Sequence, residues 1–220
     1  MIAEEIKKIH SMLPQGVELC AVSKFHPASA VKEAYDAGQR IFGESRVQEL
    51  LEKIPVLPSD IKWHFIGHLQ TNKVRQLIGR VSLIESVDSI RLLDLIDKES
   101  EKVGVVTNVL MQLHVAREET KFGFFPEELV EYFANREFEN LKATHICGVM
   151  GMASNTEDMV RVRKDFHTIA ATRNQILNIA PDLRGFDIVS MGMSGDWQIA
   201  VEEGANLVRI GTAIFGERQY

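Results

Sequence analysis

Strand-like and helix-like segments alternate along this chain from one end to the other, and strict alternation leaves few ways to fold. Short apolar runs stand at 17–23 (VELCAVS), 40–44 (RIFGE), 62–67 (KWHFIG), 83–87 (LIESV), 105–115 (VVTNVLMQLHV), 145–150 (HICGVM), 186–191 (FDIVSM) and 207–215 (LVRIGTAIF). Between them, amphipathic patterns begin near Pro27, Arg46, Gln70, Ser89, Pro126, Thr156 and Ser194. Pro27 and Pro126 suit first helical turns, and Gly38, Gly79, Gly104 and Gly204 stand where helices should stop. Strands joined by helical crossovers run parallel. Counting a helix before the first strand, the chain offers eight strands and eight helices, the number that closes a (β/α)8 barrel. An open doubly wound sheet is the alternative, but its Gly-rich turn after the first strand is missing; that turn reads SKFHP. The expectation is an α/β fold: a single (β/α)8 TIM barrel with an extra N-terminal helix, one domain over residues 1–220.

The N-terminal segment puts Ile2, Ile6, Ile9 and Leu13 on one helical stripe, and it has neither the apolar stretch nor the cleavage site of a signal peptide. No apolar run reaches membrane-spanning length. The composition, 45% hydrophobic and 25% charged, is that of a globular protein. A net charge of −6 without a basic stretch argues against a protein built on nucleic-acid backbone contacts. Cys20 and Cys147 both lie in apolar runs, the setting of small buried hydrophobes and not of a disulfide framework. The simplest reading is a reduced, cytoplasmic protein.

Barrels of this kind build their sites where strands end, and polar and glycine residues gather there in this sequence. The first strand ends on Lys24, which either marks the strand's emergence into water or stands at the mouth of a pocket. SMGMSGD (190–196) supplies Ser190, Ser194 and two glycines ahead of a helix, and RIGTAIF brings Gly211 and Thr212. Such turns suit an anion, and they equally suit an ordinary cap and turn. Arg209, inside an otherwise apolar strand, needs a partner, either a carboxylate or a ligand acceptor. His64 and His68 stand four apart, but in a strand that spacing does not bring two imidazoles to one metal; no metal site is expected. A lysine of lowered pKa forms Schiff bases with carbonyls, so the rim suits a carbonyl compound bearing a phosphate. Two classes fit: a sugar-phosphate aldolase, or a holder of pyridoxal 5′-phosphate (PLP).

The segments AVSKFHPASAVKEAYDAGQRIFGESRVQE, WHFIGHLQTNK, ICGVMGMAS, SMGMSGD and VRIGTAIFGER resemble the pyridoxal phosphate homeostasis proteins (the YggS/PROSC family) over about residues 17–218. The resemblance implies an alanine-racemase-like barrel with PLP as cofactor and Lys24 as its Schiff-base lysine. It implies that Ser190, Ser194, Gly211 and Thr212 line the phosphate and that Arg209 faces the pyridine nitrogen. Ser194 precedes Arg209 by fifteen residues, the spacing of the related racemase domains. Where the family usually reads GENYVQE this chain reads GESRVQE. Ser45 therefore stands for an asparagine that contacts the ligand, and Arg46 for a tyrosine, with the choice open between altered affinity and added charge on the phosphate side. Lys121 matches a family lysine near the site, and Lys73 is a further rim lysine.

An arginine at the pyridine nitrogen disfavours a pyridinium, which weakens the ring as an electron sink. The racemases resembled here take an opposing tyrosine from a partner subunit through a C-terminal β-domain, which a chain ending at Tyr220 is not expected to have. The implied function is holding and supplying PLP in vitamin B6 homeostasis without robust catalysis; the alternative is a weak PLP-dependent amino-acid racemase. Apo-PLP enzymes would be its recipients, and a monomer is expected.

Overall fold

Each strand of a closed parallel barrel turns alternate residues inward and the others toward the surrounding helices. A computed structural model of the chain describes residues 1–116 and 122–217. Its described strands are β1 (Glu18–Val22), β2 (Ile41–Glu44), β3 (Lys62–Phe65), β4 (Leu83–Val87), β5 (Thr107–Leu113), β6 (Thr144–Gly151), β7 (Ile188–Ser190) and β8 (Leu207–Ile210). All pair in parallel in sequence order, and β8 returns to β1 with Cys20 opposite Arg209, which closes the barrel. The expected α/β barrel is the observed one.

The alternation separates two apolar layers. Cys20, Ile41, Leu83, Leu110, Cys147 and Leu207 fill the lumen. Their neighbours Leu19, Phe42, Trp63, Phe65, Ile84, Val109, Val149 and Val208 point outward and pack on the helices. Those helices are α1 (Ile2–Met12), α2 (Ala28–Asp36), α3 (Val47–Lys53), α4 (Val74–Leu77), α5 (Ile90–Val103), α6 (Pro126–Ala134), α7 (Met159–Ile179), α8 (Trp197–Glu202) and α9 (Thr212–Phe215). α1 lays Ile6 and Ile9 into the outer layer and packs against α2 and α9, near where β8 meets β1. Between β5 and β6 the register shifts at Gly148, whose φ of +150° and position against Ile188 O (1.9 Å from an added Cβ) admit no side chain.

Three sequence expectations need correction. The run 207–215 is not one strand: β8 stops at Ile210, and Thr212–Phe215 forms α9. Ile and Phe give that stretch strand character, but Ile214 N–H and Phe215 N–H both return to Gly211 O, at 2.8 and 2.9 Å, a helical turn. The pattern near Gln70 yields only a 3-10 turn at Thr71–Lys73 and the single turn of α4. The helix expected from Thr156 begins at Met159, because the Asp158 carboxylate caps it through Val160 N–H and Arg161 N–H.

Candidate functional site

A cavity of about 230 Å³ opens at the C-terminal ends of the strands, the face on which barrels of this architecture carry their sites. Lys24, His26, Ser194, Arg209, Gly211 and Thr212 line it, with Val22, Ile66, Met152 and Met193 as its apolar wall. No carboxylate is among the described lining residues. The donor set, an ammonium, a guanidinium and two hydroxyls, suits an anion. A second hollow of about 520 Å³ lies at the opposite end, around Lys62, His64, Asn108 and Cys147.

Lys24 stands in a tight turn that begins at Ser23, where β1 has ended, and is closed by His26 N–H donating to Ser23 O at 3.1 Å. Phe25, next in the chain, has φ +67°. Left-handed backbone at a bulky residue costs about 1–2 kcal/mol, and the third position of such a turn ordinarily takes Gly or Asn. Its N–H donates to Glu49 Oε1 at 2.6 Å, and the guanidinium of Arg46 sits 4.4 Å from its ring centroid. The Arg46 charge thus lies against Phe25. Ser45 is not among the residues lining the cavity; its carbonyl abuts Gly67, where an added Cβ would come within 2.2 Å.

The other wall comes from the turns after β7 and β8. Gly192, at φ +92° and with Ala200 Cβ only 2.6 Å from where its own Cβ would stand, lets the β7–α8 turn fold tightly. Its carbonyl accepts from Arg209 N–H at 2.9 Å, tying the two turns together. Ser194 does not cap α8; its Oγ accepts from Ala213 N–H at 3.3 Å in the first turn of α9. Ser194 and Thr212 are thereby held on one side of the cavity. Ser190 is elsewhere. It is fully buried beneath the cavity, between Arg209 and a glutamate.

That glutamate, Glu85 in β4, was not legible as a site residue from sequence, although a carboxylate in the apolar run LIESV is a signal of the same kind as Arg209. Arg209 Nη1 donates to Ser190 Oγ at 2.6 Å and Nη2 to Gly151 O at 2.9 Å. Ser190 Oγ donates to Glu85 Oε2 at 2.6 Å, and His64 Nδ1 meets Glu85 Oε1 at 2.7 Å. Arg209 Nη1 itself lies 3.7 Å from Glu85 Oε2. Burial pushes the Glu85 carboxyl up, but the His64 hydrogen bond and charge, the Arg209 charge and the Ser190 hydroxyl together hold it below the ordinary range. Of the two partners the sequence left open for Arg209, the structure supplies the carboxylate, buried behind it, while the guanidinium also lines the cavity.

His64 and His68 take separate roles. His68, on the rim, meets Asp88 Oδ2 at 2.7 Å and stacks on Phe122. Cys20, His64 and Glu85 bring ligand-type atoms within 4.8 Å of one another, but the Glu85 oxygens already accept from His64 and Ser190, and burial raises the Cys20 thiol well above its usual value. Lys73 does not line the cavity, and Lys121 lies outside the described residues.

The sequence profile described as "Alanine racemase, N-terminal domain" matches residues 1–219. A protein of Aquifex aeolicus named pyridoxal phosphate homeostasis protein is 41% identical over 228 residues, covering 100% of this chain and 96% of its own. The structure of PipY from Synechococcus elongatus with PLP bound superposes with a TM-score of 0.89 at 36% identity, over 98% of this chain and 100% of PipY. An alanine racemase of Clostridium difficile superposes with a TM-score of 0.78 at 17% identity, this chain covering 57% of it, a likeness of fold alone. With both the profile and near-full-length relatives in agreement, the chain belongs to the alanine racemase N-terminal-domain family, in the branch of the pyridoxal phosphate homeostasis proteins.

Proposed function

We propose that this protein binds pyridoxal 5′-phosphate in the cavity at the C-terminal end of the barrel and serves vitamin B6 homeostasis by holding and supplying it. The observation that carries this reading is the grouping of Lys24, Ser194, Thr212 and Arg209 around one cavity, with no carboxylate among the described residues that line it. The names of the relatives and the PLP seen in PipY support it. When bound, PLP would supply an aldehyde for the Lys24 amine to hold covalently. Ser194, Gly211 and Thr212 receive the phosphate. Arg209, backed by Ser190 and Glu85, presents a fixed positive charge to the pyridine nitrogen.

That charge sets the chemistry. A guanidinium remains protonated at any physiological pH, and the Glu85 carboxylate is turned away behind Ser190. Lys24 holds the cofactor, and the site does little to stabilise a carbanion. The protein is thus a carrier working as a monomer in the cytoplasm, with apo-PLP enzymes as recipients. Both cysteines being free and buried suits a reducing compartment.

The decisive test is the visible spectrum of the purified protein with PLP, beside Lys24→Ala. The expected result is a band of the lysine-linked cofactor in the wild type and its loss in the variant. A band that survives the substitution moves the link to another lysine, and no band in either removes PLP from the cavity. Chiral analysis after addition of L-alanine is expected to find no turnover at enzymatic rates; racemisation at such rates would make the protein an enzyme.

A further inference from the structure

We infer that Glu49 and Lys53 are positioning residues for Lys24: from α3 they fix the backbone on both sides of it and so decide where its amine meets an incoming aldehyde. The inference rests on Lys24 being the attachment point. Neither residue lines the cavity, so any effect on the bound cofactor passes through the turn.

An ammonium has three donors, and Lys53, 4% exposed, has an acceptor for each. Nζ reaches Ser23 O at 2.9 Å, Glu44 Oε1 at 2.6 Å and Glu49 Oε1 at 2.7 Å. The first of these holds the carbonyl of the residue before Lys24. Glu44 Oε1 holds that residue again, accepting from Ser23 Oγ at 2.6 Å. Glu49 Oε1 holds the residue after Lys24, through Phe25 N–H at 2.6 Å. One ammonium thus gathers two carboxylates, and between them they grip Ser23 and Phe25.

The left-handed φ of Phe25 (+67°) says why a grip is needed. A non-glycine residue leaves that conformation readily unless its surroundings hold it. If Phe25 relaxes to negative φ, the turn opens and the Lys24 Cα–Cβ direction swings. Nζ then no longer points at the place where Ser194, Thr212 and Arg209 would set the aldehyde. Covalent capture depends on such alignment far more than phosphate and ring binding do.

The test compares two ligands on the full-length protein: PLP, and 4′-deoxypyridoxine 5′-phosphate, which has the same ring and phosphate but a methyl group in place of the aldehyde. Glu49→Ala is expected to weaken PLP binding, and to slow borohydride-trappable linkage at Lys24, by about tenfold or more while changing affinity for the deoxy compound by less than about twofold. Glu49→Gln keeps a carbonyl acceptor for Phe25 N–H and should recover most of the linkage rate. Glu49→Asp, one methylene shorter, draws the acceptor away from Phe25 N–H while keeping a charge near Lys53; it carries the test if Glu49→Ala loses the fold, with the same unequal losses for the two ligands expected. Equal losses for the two ligands, or a wild-type rate of linkage in Glu49→Ala and Glu49→Asp, would overturn the inference. Lys24→Ala in the same experiment separates the two failures. If it links and binds PLP like the wild type, the attachment point is wrong; if it fails while the Glu49 variants behave like wild type, only the positioning role falls.

Discussion

Glu44 and Glu85 are both fully buried, one on either side of the barrel wall, and burial has opposite outcomes for them. Glu85, in the lumen, has both oxygens engaged, one by His64 and one by Ser190, with Arg209 behind; its carboxyl is held below the ordinary range. Glu44, between β2 and α3, crowds Ser23 and Lys53 onto Oε1 and leaves Oε2 without a partner among the described residues. Burial pushes it up to about 6, the charge and hydrogen bond of Lys53 only partly offsetting that. Each carboxylate accepts from two donors; what separates them is that the donors of Glu85 are spread over both oxygens with the Arg209 charge close by, whereas those of Glu44 share one oxygen. The lumen glutamate is therefore a fixed counter-charge for the cavity's guanidinium. The outer one is an adjustable member of the group that holds the Lys24 turn.

Neutralising Glu85 breaks the comparison most severely. Glu85→Gln keeps the shape but removes the buried carboxylate paired with the Arg209 cation, itself 4% exposed. Removing one partner of a buried pair typically costs about 3–5 kcal/mol. Urea denaturation should show a loss of that order with the slope unchanged, and the PLP band should weaken as Arg209 loses its backing. A loss below about 1 kcal/mol would mean that Ser190 and Gly151 O satisfy Arg209 unaided.

The smaller effect at Glu44 lies in its pH dependence. Its folded pKa, about 6, is above its ordinary 4.5, so the folded state binds the proton more tightly than the unfolded chain. The stability this contributes is complete below pH 4.5 and is lost as pH rises through 6. A difference of this size corresponds to about 2 kcal/mol. Glu44→Gln should remove that slope from the stability profile between pH 4.5 and 6. A variant with the same slope as wild type would assign the titration to another group.

What the sequence could and could not disclose follows the same division. The barrel was legible because alternation is a property of every segment; Lys24, Ser194, Gly211 and Thr212 were legible because they close strands or open turns, and Arg209 because it is a charge inside an apolar strand. Ser190, expected at the phosphate, lies on the floor below the cavity because β7 still includes it and turns its hydroxyl inward onto Glu85 and Arg209; SMGMSGD does not announce where β7 ends. Glu49 and Lys53 stand four apart in α3, the spacing of any surface ion pair, and that spacing does not single them out. The clue was that Lys53 falls on the stripe with Val47 and Leu50, the buried face of α3. A lysine on an apolar stripe calls for acceptors, and those come from residues four and nine positions away and from the turn at Ser23, contacts no local pattern specifies.

The mildest substitution brings the two glutamates closest together. Ser190→Ala deletes the hydroxyl that donates to Glu85 Oε2 and accepts from Arg209, leaving Glu85 with one engaged oxygen, as Glu44 has. Arg209 Nη1 is already 3.7 Å from that oxygen, so a small shift restores a donor, and the stability loss should stay near ~1 kcal/mol. The guanidinium that takes up this contact moves toward Glu85 and away from the cavity. The expected signature is thus a change in the absorption of bound PLP out of proportion to the change in stability. If stability falls by about 3 kcal/mol instead, Arg209 has not moved, and Glu85 has acquired a buried oxygen without a partner, like Oε2 of Glu44.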